Sequence, residues 1–262
     1  MSVEESFVLV EIDGAVATVT LNRPAQFNVL SSGMISALQT AIDEVRMNRA
    51  IRVVVLAGAG RAFCAGHDLR EMQAHADKAW LTELFAQCSK VMLTITDMAQ
   101  PVIARVQGVA TAAGCQLVAS CDLAVASESA RFATSGVNLG LFCSTPAVAI
   151  TRSLASKHAA ELLFGGEFIT AARAECWGLV NHCVGESMLI PATRDWAQAI
   201  ASKSGAAIRS GKALLRKQRN MPLTDAYAAA GENMANDMLT EDANMGITAF
   251  LNKQRSPDWT HR

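Results

Sequence analysis

The sequence has few aromatic side chains, almost no net charge and no long apolar runs. Aromatic residues make up 5% of the 262 residues and hydrophobic residues 51%, so the core is expected to consist mainly of small aliphatic side chains. Lys and Arg number 23 against 24 Asp and Glu, which leaves no basic excess for binding nucleic acid or an anionic membrane. No uncharged apolar run approaches the ~18 residues of a membrane span, so no span is predicted. These proportions indicate a globular protein with a sizeable core.

Closely spaced metal-binding or disulfide motifs are also missing. The seven cysteines form no C-x-x-C pair, and the five histidines show no H-x-x-x-H spacing. An odd number of scattered cysteines favours reduced thiols over a disulfide framework, and no metal site is predicted. The N-terminus carries Glu4 and Glu5 and lacks the basic start of a signal peptide. We therefore expect a cytoplasmic location.

Apolar segments that end in glycine turns alternate with segments of helical periodicity over the first two thirds of the chain. An Asp13-Gly14 step joins two β-prone runs and predicts a hairpin. Strand, tight turn, helix and strand in succession predict an α/β fold with a largely parallel sheet. The predicted strands are residues 6–13, 15–21, 52–57, 101–106 and 122–126, and the predicted helices are residues 34–49, 79–98 and 113–120.

Strand signals stop after Pro191, and the rest of the chain has helical periodicity with many apolar side chains. The predicted helices are residues 193–203, 206–219, 224–239 and 244–253. We divide the chain into a core of residues 1–200 and a C-terminal helical oligomerisation region of residues 201–262. A tail of this kind packs on a partner or back over the core.

Two glycine-containing turns resemble one another and could carry chemistry. Residues 62–69 and 110–117 share Ala, Ala, Gly and Leu in register, and each follows an apolar strand. Free N–H groups at the start of the following helix could point at one oxygen of a ligand, as in an oxyanion hole. On periodicity alone, the simpler interpretation is that small residues allow close packing of helix on sheet.

Motifs along most of the chain resemble those of the crotonase (enoyl-CoA hydratase/isomerase) superfamily. They occur in the family's order between about residues 7 and 255: LNRP at 21–24, AFCAGHDL at 62–69, QG at 107–108, AAGC at 112–115, CDLA at 121–124, GGEFITA at 165–171, GLV at 178–180 and GITAFL at 246–251. The resemblance implies a crotonase-like spiral of ββα units with a C-terminal helical trimerisation region. It also implies a homotrimer or a dimer of trimers.

The same resemblance assigns roles to individual residues. The backbone N–H groups of His67 and Ala113 would form an oxyanion hole for the enolate oxygen of an acyl-CoA thioester. Coenzyme A would enter as part of the substrate, with no tightly bound cofactor. The residues expected to contact it are Ala25, Gln26, Phe27, Ala65, Gly66, Asp68, Leu69 and Arg70, with Phe250 covering the nucleotide of a neighbouring subunit.

The chain departs from the family at both catalytic glutamates of the hydratases. Gln116 and Gly136 stand at those positions, as in the subgroup of enoyl-CoA hydratase domain-containing proteins. Glutamine has no titratable proton near neutral pH, and glycine offers neither acid nor base. His67, Cys143 and Ser144 are the candidate replacements, although a histidine lining the ligand and a buried thiol are the simpler interpretations of the first two.

Three functions remain open on these residues. The first is an enoyl-CoA hydratase/isomerase of fatty-acid metabolism, in which Gln116 and Gly136 oppose efficient hydration. The second is hydrolysis of an acyl-CoA thioester with the same oxyanion hole. The third is acyl-CoA binding without catalysis. The acyl chain length is also left open.

Overall fold

The computed structural model describes residues 6–261 of the chain. The acidic N-terminus, residues 1–5, on which the expectation of no signal peptide depends, lies outside them. In chain order the strands are β1 Val8–Asp13, β2 Val16–Leu21, β3 Val53–Gly58, β4 Ala62–Cys64, β5 Val102–Val106, β6 Val109–Thr111, β7 Leu123–Ser127, β8 Arg131–Ala133, β9 Ile169–Thr170 and β10 His182–Val184. The helices are α1 Ser32–Met47, α2 Leu69–Ala74, α3 Lys78–Asp97, α4 Ala113–Ser120, α5 Ser144–Ser153, α6 Ser156–Gly165, α7 Ala171–Trp177, α8 Leu189–Ala201, α9 Gly205–Gln218, α10 Leu223–Met238 and α11 Glu241–Leu251.

The strands form two sheets, one of six strands and one of four. The larger has the order β1-β2-β3-β5-β7-β10, and only β1 and β2 are antiparallel neighbours. The smaller has the order β4-β6-β8-β9, with an antiparallel pairing at β8 and β9. The pairs β3–β4, β5–β6 and β7–β8 each place one strand in each sheet before the chain enters a helix. This repeated ββα unit is the spiral that the resemblance implied, and it confirms the fold class.

The large sheet is covered on both faces, which explains why its central strands are apolar throughout. One face joins α1, α3 and α4 in the main core, where the buried side chains include Leu38, Ile95 and Leu117. On the other face α8 packs on the sheet, with Leu189 and Ala197 in a second buried cluster.

The predicted hairpin and helices are present, with shifted ends where a capping residue lies outside the periodic pattern. Helix α1 begins at Ser32 because the Ser31 side chain accepts a hydrogen bond from the Met34 N–H. Helix α11 begins at Glu241 because Thr240 caps it in the same way. Five short strands (β4, β6, β8, β9 and β10) and helices α2 and α5 to α7 have no counterpart among the ranges that the sequence predicts.

The C-terminal helices α9 to α11 follow α8, whose last residue, Ala201, lies at the predicted division of the chain. The separation into residues 1–200 and 201–262 stays a prediction. Of the helices in residues 6–261, none combines the length and apolar character needed to cross a lipid bilayer.

Candidate functional site

The two glycine-containing turns lie in direct contact. Gly66 has φ +91°, a conformation that favours glycine. A Cβ atom at Gly66 would lie 3.0 Å from the Ala112 Cβ, 3.1 Å from the Thr111 carbonyl oxygen and 3.5 Å from the Ala113 nitrogen. The absence of a side chain at Gly66 therefore allows the first turn to approach the backbone of the second.

The second turn is held in an unusual backbone conformation. Ala112 has φ 50° and ψ −117°, values that a residue with a Cβ rarely adopts and that cost about 1–3 kcal/mol. Its own N–H donates to the Ala133 carbonyl oxygen at 3.0 Å. The next peptide starts α4, so the Ala113 N–H belongs to the electropositive end of that helix.

His67 and Ala113 both have backbone N–H groups that can serve a ligand. Between residues 6 and 261, neither N–H is hydrogen-bonded to a protein acceptor. Residue 67 pairs with Leu30 like a strand, but the hydrogen bonds of this pairing are made by the residues on either side of His67. The Leu30 N–H donates to the Gly66 carbonyl oxygen, and the Asp68 N–H donates to the Leu30 carbonyl oxygen. The geometry thus leaves two donors on adjacent turns, the arrangement that stabilises an oxyanion.

The His67 side chain is largely buried and neutral at physiological pH. Its ring meets Phe85 edge-on, with the centroids 5.3 Å apart. Burial lowers the pKa of His67 from 6.5 to about 4, although nearby Glu71 opposes the shift. Its Nε2 atom is buried and has no hydrogen-bond partner among the described residues. The imidazole is therefore a weak base rather than an acid at pH 7.

Gln116 lies one turn into α4 and is buried, with 4% of its surface exposed. Its Oε1 atom has no hydrogen-bond partner within residues 6–261. The residue also lines a cavity of about 1130 Å³ between α3, α4, α5 and α9, together with Met92 and Val148. A buried polar atom next to such a cavity can bind a water molecule or a polar ligand atom.

No side chain fits at Gly136 in the observed loop. The residue lies in the 3₁₀ turn Ser135–Leu139, and a Cβ atom there would lie 2.5 Å from the Leu141 carbonyl oxygen and 2.8 Å from the Cys143 Sγ. Burial raises the pKa of the Cys143 thiol, although a backbone hydrogen bond from Gly136 opposes the shift. The thiol is therefore protonated near neutral pH and a poor nucleophile.

The predicted coenzyme A residues of the N-terminal half lie together. The turn Pro24–Gln26 leads into Phe27, whose carbonyl oxygen accepts from the Ala65 N–H at 3.0 Å. The Arg61 guanidinium covers the Phe27 ring at 4.3 Å. The segments around Phe27 and Ala65, about forty residues apart in sequence, thus meet beside the first turn. Leu69, at the end of that turn, is 51% exposed.

Asp68 and Arg70 lie at the start of α2. The Asp68 carboxylate accepts from the Arg70 and Glu71 N–H groups at 2.9 and 3.2 Å, so it caps the helix. Glu71 in turn accepts from the Ser32 N–H at 2.9 Å and from the Ser32 hydroxyl. These contacts hold the turn that carries His67 against α1.

Comparison with known proteins identifies the family of this chain. The family model described as enoyl-CoA hydratase/isomerase matches residues 11–262. The chain is 43% identical over 251 residues to human enoyl-CoA hydratase domain-containing protein 3, mitochondrial, covering 96% of this chain and 82% of the human protein. The chain belongs to the enoyl-CoA hydratase/isomerase family.

Solved structures of the crotonase family agree with this placement. A Mycobacterium smegmatis enoyl-CoA hydratase structure has a TM-score of 0.95 and 48% identity, covering 97% of this chain and 99% of that one. The structure of human enoyl-CoA hydratase domain-containing protein 3 has a TM-score of 0.93 and 41% identity, covering 96% and 99%.

The expected cytoplasmic location is wrong against the same comparison. The similar proteins from human, Xenopus laevis, rat and zebrafish are all named mitochondrial. Scattered free thiols and an acidic start are weak indicators of compartment, because they do not separate one reducing compartment from another.

Some of the predicted site residues lie together within one chain, whereas Phe250 is predicted to act on a neighbouring subunit. The turns that carry the His67 and Ala113 N–H groups and the residues around Phe27 lie close together within the chain. Phe250, on α11, is 81% exposed, and its role as a cover for a neighbouring subunit stays a prediction.

Asn28 joins the loop between β2 and α1 to the turn after β3, and the sequence pattern does not reveal it. It is fully buried, and its Nδ2 points at the carbonyl oxygens of Ala59, Ala62 and Phe63 at 2.8–3.1 Å. Its Oδ1 accepts from the Arg23 N–H at 2.8 Å. A lone asparagine in a loop carries no periodic signal, and the three carbonyl oxygens to which it donates lie more than 30 residues away.

Proposed function

We propose that the chain binds an acyl-CoA thioester and holds the thioester oxygen between the backbone N–H groups of His67 and Ala113. The observation that supports this most directly is the contact between the two turns at Gly66 and Ala112. The strained backbone at Ala112 keeps one of the two donors in place before any ligand arrives.

Such a pair of donors stabilises the negative oxygen that forms when a thioester loses its α-proton or gains a nucleophile. Each donor is worth about 3–4 kcal/mol of transition-state stabilisation in comparable sites. Addition of water to an enoyl-CoA also requires a base for the water and an acid for the α-carbon. General acid–base assistance contributes about 10²–10⁴-fold for each positioned group.

Hydration by this chain is therefore expected to be weak. Gln116 can hold a water molecule but cannot take its proton, and the loop around Gly136 leaves no space for a carboxylate. The two losses concern one water molecule, so their effects do not simply multiply. We therefore propose that the nominal enoyl-CoA hydratase/isomerase activity is a slow reaction in this protein.

Coenzyme A is proposed to lie along the exposed side of the first turn as part of the substrate, and no tightly bound cofactor is invoked. Ala25, Gln26 and Phe27 would contact it together with Ala65, Gly66, Asp68, Leu69 and Arg70. The hydrogen bonds that join Phe27 to Ala65 and Leu30 to Gly66 support a single binding surface. Phe250 would complete it from a neighbouring subunit of a homotrimer or a dimer of trimers.

A second candidate function is acyl-CoA binding without turnover. The observation that favours it is the crowding at Gly136, which removes an acid–base position by backbone geometry as well as by residue type. Thioester hydrolysis by a Cys143 thiolate gains no support, because burial keeps that thiol protonated.

The oxyanion site is tested by calorimetric titration of butyryl-CoA and of free coenzyme A into three proteins. Gly66→Ala places a methyl group against Ala112 and should weaken butyryl-CoA binding at least about tenfold, or ~1.4 kcal/mol. Gly140→Ala is the matched control, because Gly140 also has a positive φ of 77° but has open space around it. Unchanged butyryl-CoA affinity in Gly66→Ala would place the thioester elsewhere.

The reaction is tested with a panel of acyl-CoA and enoyl-CoA thioesters and mass detection of both the acyl and the coenzyme A products. Hydration adds water to the acyl group, hydrolysis releases free coenzyme A, and pure binding changes neither. Turnover of crotonyl-CoA at the rate of an ordinary two-glutamate hydratase would contradict the roles proposed for Gln116 and Gly136.

A further inference from the structure

The last residues of the described chain fold back across the junction between the core and the C-terminal helices. We call residues 259–261 the C-terminal strap. The Trp259 Nε1 donates to the Ser202 carbonyl oxygen at 3.0 Å, and a Cβ atom at Gly246 would lie 3.0 Å from the Trp259 ring. The strap thereby touches both the segment before α9 and the middle of α11.

Asp242 anchors the strap at the start of α11. It is 1% exposed and accepts from the Ser204 hydroxyl at 2.5 Å, from the Thr260 N–H and hydroxyl at 2.8 and 2.9 Å, and from the His261 N–H at 3.1 Å. Burial alone would raise the pKa of the Asp242 carboxyl, but these hydrogen bonds outweigh it and hold the pKa below the ordinary value. The anchor therefore stays ionised at mildly acidic pH.

The His261 ring faces a hydrogen-bond donor at each nitrogen. The Gly205 N–H, at the start of α9, lies 3.0 Å from Nδ1, and the Arg52 Nη1, before β3, lies 2.8 Å from Nε2. Both neighbours can only donate. A neutral imidazole can accept at one nitrogen, and an imidazolium can accept at neither. The arrangement therefore requires a neutral ring.

The surroundings of His261 lower its pKa on balance. Burial lowers the pKa of His261, and the positive charges of Arg52 and Arg209 lower it further, whereas Asp242 opposes them. The Asp242 carboxylate is already ionised, because its hydrogen bonds hold its pKa below the ordinary value. His261 resists protonation while the strap is closed and regains its ordinary pKa once the strap opens, so a fall in pH favours the open strap.

We propose that the C-terminal strap is an acid-sensitive latch between the core and the C-terminal helices. It is closed while His261 is neutral and accepts hydrogen bonds from Arg52 or Gly205. When His261 is protonated, both of its ring nitrogens carry a hydrogen that faces the Arg52 and Gly205 donors, and its positive charge lies beside Arg52. The strap therefore separates from Arg52 and Gly205. This inference concerns the tail alone and does not depend on the proposed function.

The test is amide hydrogen exchange of the full chain at about pH 7.5 and about pH 5.5, corrected for the intrinsic exchange rate at each pH. Peptides that cover Gly205, Thr260 and His261 report the latch, and a peptide from strand β5 reports the core. In the unmodified protein we expect protection at the latch to fall by up to about tenfold at the lower pH, with β5 unchanged, because one histidine that regains its ordinary pKa on opening supplies no more than that. His261→Gln keeps a side-chain acceptor but cannot take up a proton, so its protection should be the same at both pH values.

Two results would overturn the latch. One is full protection of the strap at about pH 5.5 in the unmodified protein, and the other is an equal loss in His261→Gln. Should His261→Gln fail to fold by circular dichroism, Arg52→Gln serves instead. It removes the charge beside Nε2, so the fall in protection should shrink, and an undiminished fall would count against the proposal.

Discussion

At the scale of single residues, the neutral His67 links the candidate site to the stability of the fold. Its pKa in the folded protein, about 4, lies below the value of 6.5 expected in the unfolded chain. As the pH falls, the unfolded chain binds the proton first. The contribution of His67 to stability is therefore complete above about pH 6.5 and is lost progressively towards pH 4, by roughly 3 kcal/mol in total.

Replacing His67 by Phe should remove this loss and keep an aromatic ring against Phe85. We expect the free energy of unfolding in urea to fall less between about pH 7 and pH 5 in His67→Phe than in the unmodified protein. His75→Phe is the control, since the His75 ring stacks on Trp80 at the surface. Parallel pH profiles for His67→Phe and the unmodified protein would show that His67 is not kept neutral by burial.

Single residues also show what the sequence could and could not predict. Counting along the motifs is enough to predict that Gln116 and Gly136 take the places of the two glutamates, and that assignment stays a prediction. The physical reason that Gly136 has no side chain is invisible in the sequence, because the Leu141 carbonyl and the Cys143 thiol reach it only through the folded loop. The strained φ of Ala112 is hidden in the same way, since alanine gives no sign of it.

At the scale of elements, length and periodicity decided which parts of the fold could be predicted. Helix α4 was predicted at its observed bounds, and β2 and β3 to within one residue, because each has a continuous apolar pattern. Strands β4, β6 and β8 have three residues each and pair only with one another or with β9. Such short runs have no period to recognise, and their partners are distant in sequence.

Helix α9 is fixed to the core by Lys212, whose side chain is 9% exposed. Its Nζ donates to the Asp122 carboxylate at 2.7 Å and to the Ile95 and Gln100 carbonyl oxygens at 3.0 and 2.9 Å. We expect Lys212→Met to lower the free energy of unfolding by roughly 1–3 kcal/mol, because it removes a donor shared by three acceptors, of which the Asp122 carboxylate keeps only the Val102 N–H among residues 6–261. Asp122 is itself 31% exposed, which moderates the loss.

The matched control for this prediction is Lys217→Met, at an exposed position later in the same helix. Urea unfolding of both variants at one protein concentration makes the comparison. Equal stability of the two variants would mean that the contacts of Lys212 contribute nothing to the docking of α9.

At the scale of the whole molecule, the C-terminal helices leave many large apolar side chains in solvent. The exposed fractions reach 74% for Leu223, 73% for Tyr227 and 81% for Leu239. Apolar surface on this scale marks an interface. We expect a homotrimer or a dimer of trimers by light scattering at micromolar concentration, and a stable monomer would contradict the oligomerisation role of residues 201–262.

The strained turn at Ala112 has a consequence for how this protein can change. A glycine there would relieve the backbone and, by the usual cost of that conformation, stabilise the fold by up to about 1–3 kcal/mol. It would also remove the methyl group that meets Gly66 and loosen the peptide that orients the Ala113 N–H. Selection for stability and selection for a fixed donor therefore act in opposite directions on one residue. Substitutions chosen for stability alone would alter this turn early, at the expense of the proposed ligand binding.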